Sequence, residues 1–334
     1  MKSLIQKLTE TFSPSGYESA IRDVIRAEVE PLADEVRVDA LGNLIVRKAP
    51  SAATKNGKRI MLAGHMDEIG LIASHIDGNG FVRFTTIGGI RPQVLHGARV
   101  VFVNGARGVI GGERYENWNQ MHPYDKMFID VGAASAKDCP VRVGDVAAFE
   151  RAFMDMGDKL VAKSMDDRIG VAVMIETLRQ LKSTPHEVYF VFTTQEEVTL
   201  GGAATAAFGL DPEIGVSVDV TATGDTPKGE KMEVSLGKGP AIKIKDGGML
   251  ADPRIVDWMI RTAEKSKIPC QREVLLGGTT DAKAMQVARA GVPAGCVSIP
   301  CRYIHSPSEM VETSDVQNAV KLLVAMLSAP VSLD

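Results

Sequence analysis

The texture of the chain changes twice, and this limits the folds open to it more than any other feature. From about residue 70 to 160 short β-like runs dominate: Leu71–His75, Phe81–Thr85, Ala98–Val103, Gly108–Ile110, Met127–Asp130 and Asp145–Ala148. Turn signals such as Asp77-Gly78-Asn79-Gly80 and Asn104-Gly105 separate them, and no long helical pattern intervenes. After Asp166, helical periodicity over Gly170–Lys182, Gly201–Phe208, Pro253–Ser266, Ala282–Arg289 and Val316–Leu327 alternates with apolar runs at Glu187–Thr194, Ile214–Val220 and Pro293–Pro300. Such alternation predicts an α/β domain with a mixed, largely parallel sheet flanked by helices. The run Arg59–Gly64 reads as one of its central strands. The β-rich stretch reads as an insert, a small barrel or sandwich. The expected division is residues 1–68 plus 162–334 for the α/β domain and 69–161 for the insert.

Composition excludes several classes of partner. The chain has 334 residues, 45% hydrophobic and 24% charged, with a formal net charge of −4. No global field draws it to nucleic acid or anionic lipid, and no Lys/Arg run marks a basic arm. No apolar stretch has the length of a membrane span. The first residues, Met-Lys-Ser-Leu-Ile-Gln-Lys, read as an amphipathic helix and not as an export signal. The four cysteines, Cys139, Cys270, Cys296 and Cys301, form no C-x-x-C pair. They read as reduced thiols in a cytoplasmic protein.

Five places hold residues able to do chemistry. Gly64-His65-Met66-Asp67-Glu68 follows the Arg59–Gly64 run, and in extended backbone His65 and Asp67 point the same way. One could bind a metal while the other orients its ring. Ser164-Met165-Asp166-Asp167-Arg168 places two repelling carboxylates side by side at a helix start. A bridging metal ligand explains the pair, and so does helix capping. Gln195-Glu196-Glu197 follows a strand, and its glutamates could divide into general base and metal ligand. Asp219 sits within apolar Val216–Val220, where an unpartnered charge is costly. His305 follows the run ending Ile299-Pro300. Taken singly, each has a plain structural explanation: a turn, a cap, a solvated loop, a buried ion pair, a core histidine. Taken together, all five lie at or beside the C-terminal ends of expected strands, where ligands of α/β sheets gather. Two histidines and several carboxylates suit Zn²⁺, Co²⁺ or Mn²⁺ and a two-metal hydrolase.

These stretches, in this order, resemble the dinuclear aminopeptidases of the tetrahedral (TET) type, a group that includes FrvX-like proteins and some labelled endoglucanase M or glutamyl aminopeptidase. The likeness extends to Asp39-Ala40-Leu41-Gly42-Asn43, Gly278-Thr279-Thr280-Asp281-Ala282 and Arg302-Tyr303-Ile304-His305-Ser306, and spans essentially the whole chain. The resemblance implies a zinc-peptidase-like catalytic domain. In it His65 and Asp219 hold one metal, Glu197 and His305 the other, and Asp166 bridges them. It implies a cis peptide bond between Asp166 and Asp167, Glu196 as general base, and Asp67 behind His65. Asp246, Gly278, Thr279, Asp281 and Arg302 become candidates for substrate contact. The substrates implied are peptides. The insert becomes a dimerisation domain, whose dimers build tetrahedral dodecamers in such proteins. Residues 112–120, Gly-Glu-Arg-Tyr-Glu-Asn-Trp-Asn-Gln, depart from the Pro-Pro-His stretch of many relatives, which bears on assembly more than on chemistry.

Other chemistries fit less well. A deacylase or carboxypeptidase could use the same metal set. Glycoside hydrolysis would use Glu196 and Glu197 as its carboxylate pair, but neighbours in sequence seldom flank a sugar bond from opposite sides. Aromatic content of 5% is also thin for a sugar platform. A non-catalytic scaffold leaves the full ligand set unexplained. Lys243 and Lys245 could line a pocket for acidic side chains or simply coat a strand face.

Overall fold

A computed structural model describes residues 1–51, 57–114 and 121–333. Residues 115–120 of the departing segment lie outside the described residues. The chain forms one large mixed sheet and one closed barrel. The large sheet has 11 strands, with Glu35–Val38, Leu44–Lys48, Glu187–Thr193, Arg59–His65, Ile214–Thr221, Ala294–Arg302, Glu309–Glu312, Lys159–Ala162 and Met154–Asp155 in spatial order. Ala241–Lys245 and Gln271–Val274 attach beside Ala294–Arg302.

The centre is parallel and the flanks join it antiparallel, with a further parallel pair between Ala241–Lys245 and Gln271–Val274. Arg59–His65 runs parallel to both Glu187–Thr193 and Ile214–Thr221, which in turn runs parallel to Ala294–Arg302. These strands are apolar on both faces, as a sheet covered by helices requires. Every residue of Ile214–Thr221 is buried. Two glycines show how close the cover is. A Cβ at Gly64 would lie 2.8 Å from the Met174 sulfur, on the Met165–Gln180 helix. A Cβ at Gly215 would lie 3.0 Å from the Met285 sulfur, on the Asp281–Gln286 helix. Helices Lys2–Glu10, Ser19–Val29 and Thr313–Leu327 pack with Met165–Gln180, and Gly201–Leu210 packs with Asp281–Gln286. No described helix is long and apolar enough to cross a membrane.

The barrel closes through Gly70–Ile76, Val82–Ile87, Met127–Asp130, Arg107–Gly112, Arg99–Phe102 and Val146–Phe149. It has its own core, including Leu71, Val82, Phe84, Val100, Phe102, Ile110 and Ile129. Chain leaving the sheet at His65 enters the barrel at Gly70, so the barrel is rooted at the end of a central strand. Met154–Asp155 and Lys159–Ala162, after the barrel, pair into the large sheet and not into the barrel.

Candidate active site

The parallel strands bring their C-terminal ends to one edge, where a site is expected. His65 ends its strand and faces Thr193 on the neighbouring one. Asp219 lies near the end of Ile214–Thr221, and His305 follows Ala294–Arg302 by three residues. Asp166 and Asp167 open the Met165–Gln180 helix with non-helical backbone, joined by a cis peptide bond. Glu196 and Glu197 begin a one-turn helix after Gln195, which has a left-handed φ of 55°. His305 itself has φ 61°, a conformation uncommon outside glycine.

One carboxylate organises the cluster. Asp166 Oδ1 lies 2.9 Å from His65 Nε2, and Asp166 Oδ2 lies 3.2 Å from His305 Nε2. His305 Nε2 is also 3.3 Å from Glu197 Oε2. Both rings are oriented from behind. His65 Nδ1 faces the Asp67 carbonyl oxygen at 3.3 Å and its carboxylate at 3.4 Å. His305 Nδ1 donates to the Gly89 carbonyl at 2.8 Å. Since these partners only accept, each Nδ1 holds a proton and each Nε2 is turned to the acids.

The electrostatics call for added positive charge. Asp166, Asp167, Glu196, Glu197 and Asp219 face two imidazoles. Burial, with repulsion from Asp166, pushes the Asp219 carboxyl well up. Burial likewise raises Glu196 and Glu197. For Asp166 burial also works upward, but hydrogen bonds from His305 and His65 outweigh it and hold the carboxyl low. Burial opposes a charged His305, yet Glu197 and Asp166 overcome it and raise the ring to about 12. Glu197 Oε1 is buried and has no hydrogen-bond partner among the described residues. Ligand atoms of His65, Asp166 and Glu197 lie within 4.8 Å of one another, and so do those of His65, Asp167 and Asp219. An orphaned carboxylate oxygen, excess acid and mixed N/O donors fit divalent cations.

Asp67 does more than face His65. Its carboxylate accepts the Glu196 N–H at 3.0 Å, the Glu197 N–H at 3.2 Å and the Ser15 hydroxyl at 2.5 Å. It therefore fixes the turn that presents both glutamates. Glu196 Oε2 lies 3.8 Å from His65 Nε2, beside the histidine–Asp166 pair. Asp167 accepts the Gly170 N–H at 3.1 Å, the capping role weighed for it, and the His65 N–H at 3.2 Å.

The sequence reading missed Glu309. Its buried carboxyl accepts the Asp166 N–H at 2.9 Å and the His305 N–H at 2.7 Å, so one side chain holds two candidate ligands by their backbones. Burial raises its pKa to about 8. It also missed Glu68, which is buried with Lys163 at 2.5 Å and accepts the Ser13 N–H at 2.8 Å. No local motif marks Glu309, and Glu68 stands in the His65–Asp67 stretch without a role being read for it.

The cluster lines a cavity of about 610 Å³. His65, Asp166, Glu196, Glu197, Asp219 and His305 all border it, as do Gly278 and Thr279. The other three substrate-contact candidates do not. Asp246 caps a turn by accepting from Gly248 and Met249. Asp281 accepts from the Thr193 hydroxyl at 2.5 Å. Arg302 is engaged by Asp225 through two nitrogens, at 3.0 and 2.7 Å. Lys243 borders the cavity, but its ammonium is paired at 2.6 Å with buried Glu273. Lys245 donates to the Asp246 carbonyl and lies outside the lining.

Comparisons with known proteins converge. A family profile described as M42 glutamyl aminopeptidase matches residues 42–322. The lysyl aminopeptidase of Pyrococcus furiosus is 36% identical over 344 residues, covering 97% of this chain and 96% of the relative. The structure of aminopeptidase APDkam598 from Desulfurococcus kamchatkensis superposes with a TM-score of 0.92 at 40% identity, covering 98% and 94% of the two chains. The TET1 peptidase of Pyrococcus horikoshii, which can assemble into a tetrahedron or a large octahedral shell, superposes with a TM-score of 0.87 at 33% identity, covering 98% and 99%.

Proposed function

This chain belongs to the M42 glutamyl aminopeptidase family and is a metal-dependent aminopeptidase; we propose that it removes N-terminal residues from peptides through two divalent ions held by His65, Asp166, Glu197, Asp219 and His305. Asp166 would bridge the two positions, His65 and Asp219 completing one, Glu197 and His305 the other. The observation that carries this reading is the division of the Asp166 carboxylate, one oxygen toward each histidine Nε2. Zn²⁺ or Co²⁺, with Mn²⁺ third, suits these donors.

Bound there, the ions supply Lewis acidity, polarising a carbonyl and making water more acidic. The remaining work falls to the chain. Glu196 takes the proton of the attacking water at its carboxylate and returns it to the leaving nitrogen. Burial, which favours its protonated form, suits a group that must both accept and release. Asp67 holds the Glu196 and Glu197 N–H groups in place, and Gly278 and Thr279 border the space for the N-terminal residue. Lys243 offers little free charge to an acidic side chain because Glu273 neutralises it. The family description and the Pyrococcus furiosus relative name different side chains, so neither name sets this chain's preference.

We assign self-association to the inserted barrel, Gly70 to Phe149; the expected bound of 161 runs past it, because Met154–Asp155 and Lys159–Ala162 pair into the large sheet. Val103, Val109 and Val143 are exposed there, and the Pyrococcus horikoshii neighbour forms shells. The four free cysteines support a reducing, cytoplasmic setting. Glu196→Gln tests the chemistry. Removing a general base costs about 10²–10⁴-fold in turnover. Metal content by mass spectrometry stays at the parent level. Near-normal turnover in that variant would contradict the assignment.

A further inference from the structure

A second groove of about 590 Å³ opens on the far side of His305. It shares Arg91, Ile304 and His305 with the catalytic cavity, so the two adjoin at these residues. Their walls differ. The inner cavity combines buried polar groups, among them Asp219, Thr221, Lys243 and Thr280, with exposed Val198 and Gly278. The groove is bordered by exposed ones: Met154 and Met156 at 48% and 56%, and Tyr303 at 55%. An exopeptidase must enclose one residue and leave the rest of the peptide an open path.

The groove has an apolar floor and a cationic rim. Met154 and Met156 lie two residues apart in extended chain and share a side, while Asp155 between them turns away to pair with Lys2 at 2.9 Å. Val161 and Met310 add to the same lining. Unbranched thioethers make a floor that adapts to varied side chains. Arg91 and Arg151 border the groove, and neither guanidinium has an acidic partner or a hydrogen bond among the described residues. Exposed guanidinium groups with no protein partner, beside an apolar floor, match a carboxylate attached to an apolar residue.

We propose that this groove holds the peptide beyond the scissile bond, with an apolar side chain over Met154 and Met156 and the C-terminal carboxylate of a short peptide at Arg91 and Arg151. The proposal rests on the aminopeptidase reading. It makes peptides of two or three residues, whose carboxylate can reach the groove, better substrates than longer ones.

The test compares Leu-Leu and Leu-Leu-Leu with their C-terminal amides on the metal-loaded enzyme. The free acids are expected to exceed the amides about tenfold in kcat/KM, as one charge-assisted contact can give. Arg91→Ala and Arg151→Ala each bring that ratio toward one, and Arg151→Lys retains most of it. A ratio taken within one variant cancels losses of folded or metal-loaded protein. Equal cleavage of acid and amide by the parent, or a ratio unmoved by both alanine variants, would overturn the subsite; a second copy of the chain covering the groove would give that result. Failure of the parent to cleave any of these peptides would overturn the aminopeptidase reading itself, and the subsite with it.

Discussion

Asp166 is held at three points: its carboxylate lies between two histidines, and its N–H is fixed by Glu309. Glu309 also fixes the His305 N–H, so it acts on two candidate ligands without being one. Glu309→Ala leaves the buried Asp166 N–H and the half-buried His305 N–H unpaired, the first costing about 1–3 kcal/mol and the second less. Loss of an outer partner of this kind weakens metal binding by about 10–100-fold. Metal titration by calorimetry and urea denaturation measure both effects; an unchanged dissociation constant would remove Glu309 from the account. The candidate ligands His65 and Asp219 were legible because each stands at the end of or inside an apolar run, where a polar residue stands out. Glu309 was not, because its position follows from register. Glu309 pairs with Ala162, just before the Ser164–Asp166 turn, and that juxtaposition of residues far apart in sequence leaves no local mark. Arg302 shows the converse: it stands in a matching motif, yet Asp225 occupies its guanidinium.

The central strand that delivers His65 depends on close cover by the Met165–Gln180 helix. At Gly64 a Cβ would meet Met174 Sδ at 2.8 Å, Asp167 Oδ2 at 3.2 Å and the Val218 carbonyl at 3.3 Å. Gly64→Ala therefore costs about 1–3 kcal/mol by overpacking. At Gly78, on a barrel turn, a Cβ would meet nothing within 4 Å, and Gly78→Ala stays within about 0.5 kcal/mol. Urea denaturation of both variants checks the contrast, and equal stabilities would contradict this packing. Strand and helix positions were readable because their periods are local. The order of strands was less so. Leu44–Lys48 enters the sheet antiparallel to Glu187–Thr193, and Met154–Asp155 extends its opposite edge. Both pairings join segments whose own patterns do not name a partner.

At the scale of the molecule, the sheet collects ligands at one edge and the barrel closes over part of it. The barrel's Gly88-Gly89 turn reaches the site: the Gly89 carbonyl orients His305, and a Cβ on Gly88 would meet Glu197 Oε2 at 3.0 Å. The inserted unit is therefore joined to the chemistry as well as to any assembly. The change of texture along the chain announced an insert, but not that its turn would touch His305, a candidate metal ligand. The central claim is that one carboxylate serves two metal positions. Its most direct test is the number of zinc or cobalt ions per chain, by mass spectrometry after dialysis, in the parent and in Asp166→Asn. We predict about two in the parent and near none in the variant, since removing a shared ligand weakens both positions. Two ions retained by Asp166→Asn, with peptide cleavage intact, would contradict the account.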